Sequence, residues 1–365
     1  MNEENDMNPM LSAIVHCVVG CNVGAADGQT LHVLRCDTAT GEMTLAQTVK
    51  GVQGTTYFCF DRARENIYTY IGEMVGAEKR GTIVKFPFRD GKLGAMERLV
   101  ALPGEAPCHI SLSPDGGRLG FACYGSATAG TVSVDGSGLA VTVHDNEGLG
   151  TDAKRQDKAH AHCAVFTPDG RHVGIVDLGK DRILFYESAT MKPVPAMTVR
   201  ADPGDGPRHA VWSKDGRFLF VVNELGNSVM SFAFDGTGFS RVGKWSTLPE
   251  GCGVWSKAAA IKLVCDGSVL MASNRGHEKN SIAIYSVDRE TGALSLRNVA
   301  AVDGVFPRDF ELAPGGKYVI VGHKRSNEVC MYRFDRATYA LEPVGKRIEI
   351  WSPLCFLFSS TASVK

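Results

Sequence analysis

The sequence from residue 159 to 187 alternates apolar and polar side chains on both sides of a Thr-Pro-Asp-Gly segment at residues 167–170. A Pro-Asp-Gly sequence closes a tight turn between two antiparallel strands, so this stretch predicts a β-hairpin. Because the turn ties one end of both strands, the residues at the other end must share one rim. His160 and His162 enter the first strand and Asp177 leaves the second, so we expect these three side chains to lie together.

The same hairpin pattern recurs along the chain at a nearly constant period. The turn centres are about 46 to 54 residues apart and lie near Asp61, Asp115, Asp169, Asp215, Gly267 and Gly315. A period in this range that is filled by strands, with no long amphipathic helix, is typical of a β-propeller, in which each repeat forms one four-stranded blade.

The two ends of the chain contain strand-like segments that the six hairpins do not use. Residues 14–20 and 30–34 look like strands of a further blade, and residues 354–358 look like a strand without a partner of its own. Joining the two ends in a seventh blade leaves no open edge in the ring. The sequence therefore predicts an all-β protein in which residues 1–365 form a single seven-bladed propeller of four-stranded antiparallel blades. We expect residues 1–10 to be a polar, flexible tail.

Charge and composition argue against several classes of partner. The 39 basic and 40 acidic residues give a net charge of -1, so no whole-molecule field attracts nucleic acid or an anionic membrane. The first ten residues are polar and acidic, and His16, Gly20 and Asn22 interrupt the apolar run that follows, which argues against a signal peptide. We expect a cytoplasmic protein that is a monomer or a weak homodimer. The eleven cysteines show no paired spacing, which indicates reduced, mostly buried thiols.

Residues from different blades should converge at one mouth of the central channel. In a propeller the first strand of each blade lines the channel, and the loop before it opens on the same face as the end of the second strand. First strands place there His109, His160, His162, Arg208, His209 and Arg308. Second-strand ends place there Tyr124, Asp177, Glu224, Arg275, His323 and Lys324. A long polar loop at residues 145–158, which contains Arg155, should lie on the same rim.

The chemistry of this set indicates an anion pocket. Arg208, Arg275 and Arg308 come from three blades, and a planar guanidinium matches the geometry of a carboxylate or a phosphate. Glu224 could either orient these arginines or transfer a proton. His162 taken alone could be a buried structural histidine, but the repetition of similar rims favours a catalytic base. A neighbouring carboxylate should hold the pKa of His162 at or above about 6.5.

The sequence contains no signature of a bound cofactor. The His160-x-His162 pair could contact a metal ion, but no acidic or cysteine ligand pair accompanies it. A P-loop, a GxSxG nucleophile motif and a glycine-rich dinucleotide fingerprint are also absent from the sequence. We therefore expect no cofactor and no metal.

Several segments at these rims resemble the seven-bladed propeller lactonase family, which includes bacterial 6-phosphogluconolactonases and fungal carboxy-muconate lactonizing enzymes. The resemblance spans nearly the whole chain, and its most specific segments are Pro107-Cys108-His109, Arg155-Gln156 with His160-Ala161-His162, Gly206-Pro207-Arg208-His209, Asn223-Glu224-Leu225, Ser273-Asn274-Arg275-Gly276 and Phe306-Pro307-Arg308-Asp309-Phe310. It implies that the functional histidine is His162, that its paired acid is Glu224, and that Arg208 and Arg275 are the arginines of the site. The chain departs from the family pattern at residues 61–63 and 322–324.

We therefore predict a metal-independent lactonase whose partner is a small anionic substrate, a phosphorylated sugar lactone and foremost 6-phosphogluconolactone. In this interpretation His162 and Glu224 handle protons, and Arg208 binds the oxyanion or a carboxylate. Arg275 and Arg308 then bind the anionic tail of the substrate. The substrate-binding residues are then His109, Arg155, His160, Asp177, His209, Arg275 and Arg308.

Two other functions fit the same residues. The same pocket run in reverse gives an isomerase that closes a muconate-type acid to a lactone, because one guanidinium serves either a phosphate or a carboxylate. A non-catalytic propeller that binds a sugar acid or a protein is the third possibility. It would show an exposed apolar or charged face instead of a converged polar mouth.

Overall fold

Seven small antiparallel sheets form a closed ring in the computed structural model of the protein, which describes residues 14–22, 28–253, 255–276 and 279–360. This confirms the predicted seven-bladed β-propeller. The tail predicted at residues 1–10 lies outside the described residues.

The strands are short and follow one another in hairpins. Numbered in chain order, they are β1 (Ile14–Cys21), β2 (Leu31–Asp37), β3 (Met43–Val49), β4 (Cys59–Phe60), β5 (Asn66–Val75), β6 (Glu78–Arg89), β7 (Lys92–Leu93), β8 (Glu97–Ala101), β9 (His109–Leu112), β10 (Arg118–Ala122), β11 (Thr128–Ser133), β12 (Ala140–Val143), β13 (Ala161–Phe166), β14 (His172–Asp177), β15 (Arg182–Glu187), β16 (Val199–Arg200), β17 (Pro207–Trp212), β18 (Phe218–Asn223), β19 (Ser228–Phe234), β20 (Phe239–Ser246), β21 (Ser256–Val264), β22 (Val269–Gly276), β23 (Ser281–Val287), β24 (Leu294–Ala301), β25 (Pro307–Leu312), β26 (Tyr318–His323), β27 (Glu328–Asp335), β28 (Ala340–Glu349) and β29 (Pro353–Phe358). Two short 3₁₀ turns are also present, Pro195–Met197 and Cys265–Gly267.

Each blade is one sheet. Blade 1 consists of β29, β1, β2 and β3, blade 2 of β4 to β8, blade 3 of β9 to β12, blade 4 of β13 to β16, blade 5 of β17 to β20, blade 6 of β21 to β24, and blade 7 of β25 to β28. Blade 2 has a fifth strand because the long β6 pairs with both β7 and β8. Blade 1 joins the two ends of the chain, since β29 pairs antiparallel with β1 and places Phe356 opposite Val19. The predicted closure of the ring is therefore confirmed.

The Pro-Asp-Gly turn of blade 4 shows why the hairpins form. The carboxylate of Asp169 accepts hydrogen bonds from the Thr167 hydroxyl at 2.6 Å and from the Arg171 backbone N–H at 3.0 Å. Gly170 has a φ of 71°, a left-handed conformation that glycine adopts without steric strain. A carboxylate makes the same side-chain and backbone bonds in the turns of blades 3 and 5.

The hydrophobic core is divided among the blade interfaces. The structure contains seven apolar clusters, and each one lies between two neighbouring blades. Inner strands are therefore covered on both faces, and every residue of β18 is buried. Between blades 7 and 1, Phe356 and Phe358 of the closing strand pack in one cluster with Ile320 of β26. The last strand of the chain thus supplies part of the core that holds the ring shut.

The cysteines agree with the expectation from the sequence. All eleven cysteines are free, and Cys59, Cys108 and Cys252 are the ones that are partly exposed, as expected for reduced thiols on apolar strands. Within the described ranges, no helix is long and apolar enough to cross a membrane.

Candidate active site at the channel mouth

Three of the predicted site residues occupy the same irregularity in three different blades. The pairing of the innermost strand with the next one shifts register at residues 161–163, 207–209 and 307–309, and each shift leaves one residue unpaired. These residues are His162, Arg208 and Arg308. A bulge of this kind bends the strand and re-aims a side chain that regular alternation would direct elsewhere. The bulges therefore explain how one strand position supplies a functional side chain in blade after blade.

Glu224 is the centre of the site. It follows β18, is only 2% exposed, and meets cations from four other segments of the chain. Its Oε1 lies 2.7 Å from the guanidinium of Arg155 and 3.9 Å from Nζ of Lys257, and its Oε2 lies 3.3 Å from Nε of Arg208. Arg275 donates a short hydrogen bond to the same Oε2. One buried carboxylate thus orders four cationic side chains.

These cations determine the ionisation of Glu224. Burial alone would raise the pKa of this carboxyl, but Arg275, Arg208 and Arg155 outweigh that effect and hold its pKa well below the usual range. A carboxylate that is bound by three guanidinium groups and stays ionised is a weak proton acceptor. The geometry therefore favours the orienting role for Glu224 over the proton-transfer role.

The loop at residues 145–158 reaches the mouth, as the sequence predicted. Besides its contact with Glu224, Arg155 donates a hydrogen bond to the Tyr124 hydroxyl at 3.1 Å. The next residue, Gln156, is 2% exposed and anchors the loop through the Leu178 carbonyl at 2.9 Å and the Asp181 carboxylate at 2.8 Å. Arg155 therefore connects blades 3 and 5 across the loop that precedes blade 4.

A group of three histidines lies beside the arginines. The ring of His209 packs edge to face against His109 and against His162, with centroids 5.2 Å apart in both pairs. Tyr57 covers His109 at 4.2 Å. Burial and the charge of Arg208 lower the pKa of His109 to about 3 and lower that of His162 well below 6.5.

The expectation that Glu224 would keep the pKa of His162 at or above its usual value is therefore wrong. Glu224 does raise this pKa, but desolvation and Arg208 outweigh it because the ring is only 4% exposed. His162 is thus a neutral imidazole in the free protein.

The polar atoms of His160 and Asp177 contact neighbouring protein groups at the rim and not the arginines. The ring of His160 stacks on Tyr124 at 4.1 Å, its Nδ1 lies 2.9 Å from the Tyr124 carbonyl oxygen, and its Nε2 lies 3.2 Å from Asp157. Asp177 is fully buried; one oxygen lies 2.5 Å from Nδ1 of His144, and the other accepts the backbone N–H of His160 at 2.8 Å. Because protein groups occupy these polar atoms, the geometry does not support a substrate contact by Asp177.

Two lysines that the sequence did not single out as substrate-binding belong to the same mouth. Lys257 on β21 lies directly opposite Arg275 in the strand register. Lys324 follows β26 in blade 7 as Glu224 follows β18 in blade 5, which is the second-strand end where the repeat pattern placed it. We call the resulting set the mouth cluster, which consists of Glu224 and the cations Arg155, Arg208, Lys257, Arg275, Arg308 and Lys324.

A small cavity borders the mouth cluster at Arg208 and Arg308. It has a volume of about 40 Å³ and is lined by Thr56, Tyr57, Cys108, Arg208, His209, Arg308, Asp309 and Leu354. This volume has room for water but is far below the roughly 300 Å³ of a typical ligand pocket. The cavity is therefore too small to hold a sugar-sized ligand. Among the described residues, no group of three or more His, Cys, Asp or Glu side chains is placed to hold a metal ion.

The fold and this site define a seven-bladed β-propeller enzyme with its polar groups converged on one channel mouth. The chain belongs to the seven-bladed β-propeller lactonase family, whose model matches residues 16–358. The relatives agree with a lactonase activity. A 6-phosphogluconolactonase of Formosa agariphila is 25% identical over 342 residues, which cover 91% of this chain and 96% of that protein.

Two further relatives show the breadth of the family. An uncharacterized protein of Staphylococcus saprophyticus is 28% identical over 338 residues, with 91% of this chain and 96% of that protein covered. The periplasmic gluconolactonase PpgL of Pseudomonas aeruginosa is 26% identical, and its solved structure superimposes with a TM-score of 0.84, covering 95% of this chain and 99% of that one. The relatives thus include lactonases named for a phosphorylated and for an unphosphorylated sugar lactone.

Proposed function

We propose that the protein is a metal-independent, cytoplasmic lactonase that hydrolyses 6-phosphogluconolactone to 6-phosphogluconate. The observation that carries this proposal is the mouth cluster. Four of its cationic side chains contact one buried carboxylate. The other two, Arg308 and Lys324, lie near enough to the arginines to have their pKa values lowered by them. Such an excess of positive charge in a partly desolvated site favours an anionic substrate. A phosphorylated lactone supplies both the anion and the ester bond that the family hydrolyses.

In the proposed mechanism Arg208 and His162 act on the lactone ring. In the proposed reaction the oxygen of a water molecule attacks the lactone carbonyl carbon, and His162 accepts the proton that the water loses. Arg208 stabilises the negative charge that develops on the carbonyl oxygen. The bond between this carbon and the ring oxygen then breaks, the ring oxygen takes the proton from His162, and the product is the open hydroxy acid. Glu224 keeps the guanidinium of Arg208 in place.

Substrate binding would also adjust the basicity of His162. In the free protein its pKa is lowered by burial and then by the charge of Arg208. An anion bound at the mouth offsets part of that positive charge, so the pKa of His162 rises toward the range that suits proton transfer near neutral pH. The anionic group of the substrate thus contributes to catalysis as well as to binding.

The test is to add the purified chain to freshly prepared 6-phosphogluconolactone and to follow acid release in a pH-stat. We expect a rate above the spontaneous one, unchanged after dialysis against a strong chelator. A matched assay offers a carboxy-muconate lactone and its open acid. A spontaneous rate with the sugar lactone, together with turnover of the muconate pair, would replace this proposal with the isomerase function.

A further inference from the structure

Two cations of the mouth cluster lack an anionic partner. Arg155, Arg208 and Arg275 all contact Glu224. In the part of the chain that the structure describes, Arg308 and Lys324 form no ion pair with any carboxylate. The uncompensated charge of the mouth is therefore concentrated on blade 7.

Arg308 and Lys324 start from adjacent strands of this blade. Arg308 occupies the bulge of β25, and Lys324 directly follows β26, whose last residue pairs with Pro307. The Lys324 backbone N–H donates a hydrogen bond to the Phe306 carbonyl at 3.0 Å. The two side chains thus leave the backbone at the same end of one strand pair.

The acids nearest in sequence do not neutralise Arg308. The neighbouring Asp309 is 3% exposed, lies 3.7 Å from Nζ of Lys262, and accepts the backbone N–H of Phe356 at 3.2 Å. Lys262 also contacts Glu311 at 3.0 Å. These acids are therefore compensated by a different cation, and Arg308 keeps its positive charge available.

The pKa values of Arg308 and Lys324 are lowered by the like charges near them. Burial, followed by the charges of Arg208 and Arg275, lowers the pKa of Arg308 well below its usual value. Burial, Arg308, Arg275, Arg325 and Arg208 lower the pKa of Lys324 to about 8. Mutually repelling cations in a partly desolvated place are relieved by an anion that lies between them.

We propose that Arg308 and Lys324 form a phosphate subsite that makes the enzyme prefer phosphorylated over unphosphorylated sugar lactones. The proposal rests on the lactonase function proposed above and assigns the distal group of its substrate. A phosphate dianion matches two cations, whereas the hydroxyl of an unphosphorylated lactone leaves both unpaired. A site built for a charged group rejects an analogue that lacks it far more strongly than an apolar pocket rejects a missing methylene.

The experiment compares two lactones with the full chain. The ratio of kcat/KM for 6-phosphogluconolactone to kcat/KM for glucono-δ-lactone is measured for the wild type, Arg308→Gln and Lys324→Met. We expect each substitution to lower this ratio by about 10- to 100-fold, mainly through the KM of the phosphorylated substrate. Lys154→Met is the matched control, because Lys154 is an exposed lysine in the rim loop at residues 145–158, and its ratio should stay within about twofold of wild type. Equal losses on both lactones would overturn the subsite.

A second measurement does not depend on turnover. Calorimetric titration with inorganic phosphate should show binding to the wild type and at least about tenfold weaker binding to both variants. Equal phosphate affinity in variants that melt like wild type would overturn the subsite even if the enzyme is an active lactonase. The wild type could hydrolyse neither lactone while both variants bind phosphate more weakly than the wild type. That result would support the subsite and contradict the proposed substrate.

Discussion

Arg155 and Glu224 meet 2.7 Å apart across the channel mouth, one from the loop ahead of blade 4 and the other from the end of a strand in blade 5. With this contact, three guanidinium groups, those of Arg155, Arg208 and Arg275, lie around a single carboxylate. These contacts support an orienting role for Glu224 towards Arg155, Arg208 and Arg275.

Replacing Glu224 by glutamine should destabilise the fold and also lower the activity. The variant leaves Arg155, Arg208 and Arg275 without their anion, and breaking a buried charge network by removing one partner costs about 3 to 5 kcal/mol. Urea denaturation measures the free energy of unfolding. Added sulfate should restore stability to Glu224→Gln more than to wild type, because it supplies the missing negative charge. Glu290→Gln, which removes an exposed carboxylate 3.5 Å from Arg217, is the control. Equal stability of wild type and Glu224→Gln would contradict the orienting role.

The pH–rate profile should lack a rising limb at the usual histidine pKa. Because burial and Arg208 lower the pKa of His162 well below 6.5, its imidazole is already the neutral, proton-accepting form. After subtraction of spontaneous hydrolysis, kcat/KM for glucono-δ-lactone, which carries no titrating phosphate, should stay flat between about pH 6 and 7.5. His162→Asn should lower kcat by about 100-fold, the contribution expected of a positioned base. A limb near pH 6.5 that disappears in His162→Asn would show that the ring titrates normally.

Stability should fall as the pH is lowered below neutrality. Burial lowers the pKa of His109 to about 3 and that of His323 to about 4. It also lowers the pKa values of His162 and His209 well below 6.5. Below pH 6.5 the unfolded chain therefore binds protons that the folded chain does not, and unfolding is favoured by up to about 1.4 kcal/mol per pH unit for each histidine.

Urea midpoints at several pH values between 7.5 and about 4.5 measure this slope. His323 is fully buried, and its ring nitrogens have no hydrogen-bond partner among the described residues. His323→Leu should reduce the slope by about one histidine's share. If the stability of His323→Leu depends on pH as steeply as that of the wild type, His323 has the same pKa in the folded and the unfolded chain.

Phosphate binding should weaken at alkaline pH because Lys324 loses its charge. Its pKa is about 8 in the free protein, lowered by burial and by Arg308, Arg275, Arg325 and Arg208. The side chain is positive below that pH and neutral above it, so the dissociation constant for inorganic phosphate should rise as the pH passes about 8. Lys324→Met should bind phosphate weakly at every pH and lose this dependence. The same rise in the variant would assign the titration to another group.

Removal of residues 350–365 should unfold the ring as one unit. The truncation deletes β29, whose buried Leu354, Phe356 and Phe358 each contribute about 1.5 to 3 kcal/mol of burial. It also exposes the pairing edge of β1. The loss is comparable with the entire stability of a typical domain, about 5 to 15 kcal/mol. Circular dichroism should show no cooperative melting transition. A truncated chain with the melting temperature of wild type would contradict closure by β29.

The repeat pattern was sufficient to predict most of the architecture. Turn chemistry and alternation act within one hairpin, so the Pro-Asp-Gly segment around Asp169 reports local structure directly. The period of these hairpins and the unpaired segment at residues 354–358 then led to seven blades and to the closing strand. Convergence of Arg208, Arg275 and Glu224 followed from the same reasoning, because equivalent positions of a propeller meet at one end of the channel.

What the sequence determined by itself is therefore the ring and the identity of the residues at its mouth. Only the tertiary structure decided which groups contact those residues and how their pKa values are shifted. Asp177 has its oxygens occupied by His144 and by the backbone, and His162 has its pKa lowered instead of raised. Both outcomes depend on burial and on charges contributed by other blades. Alternation within one strand cannot specify these, because desolvation and Coulombic interaction sum over every group packed around a site, whatever its distance along the chain.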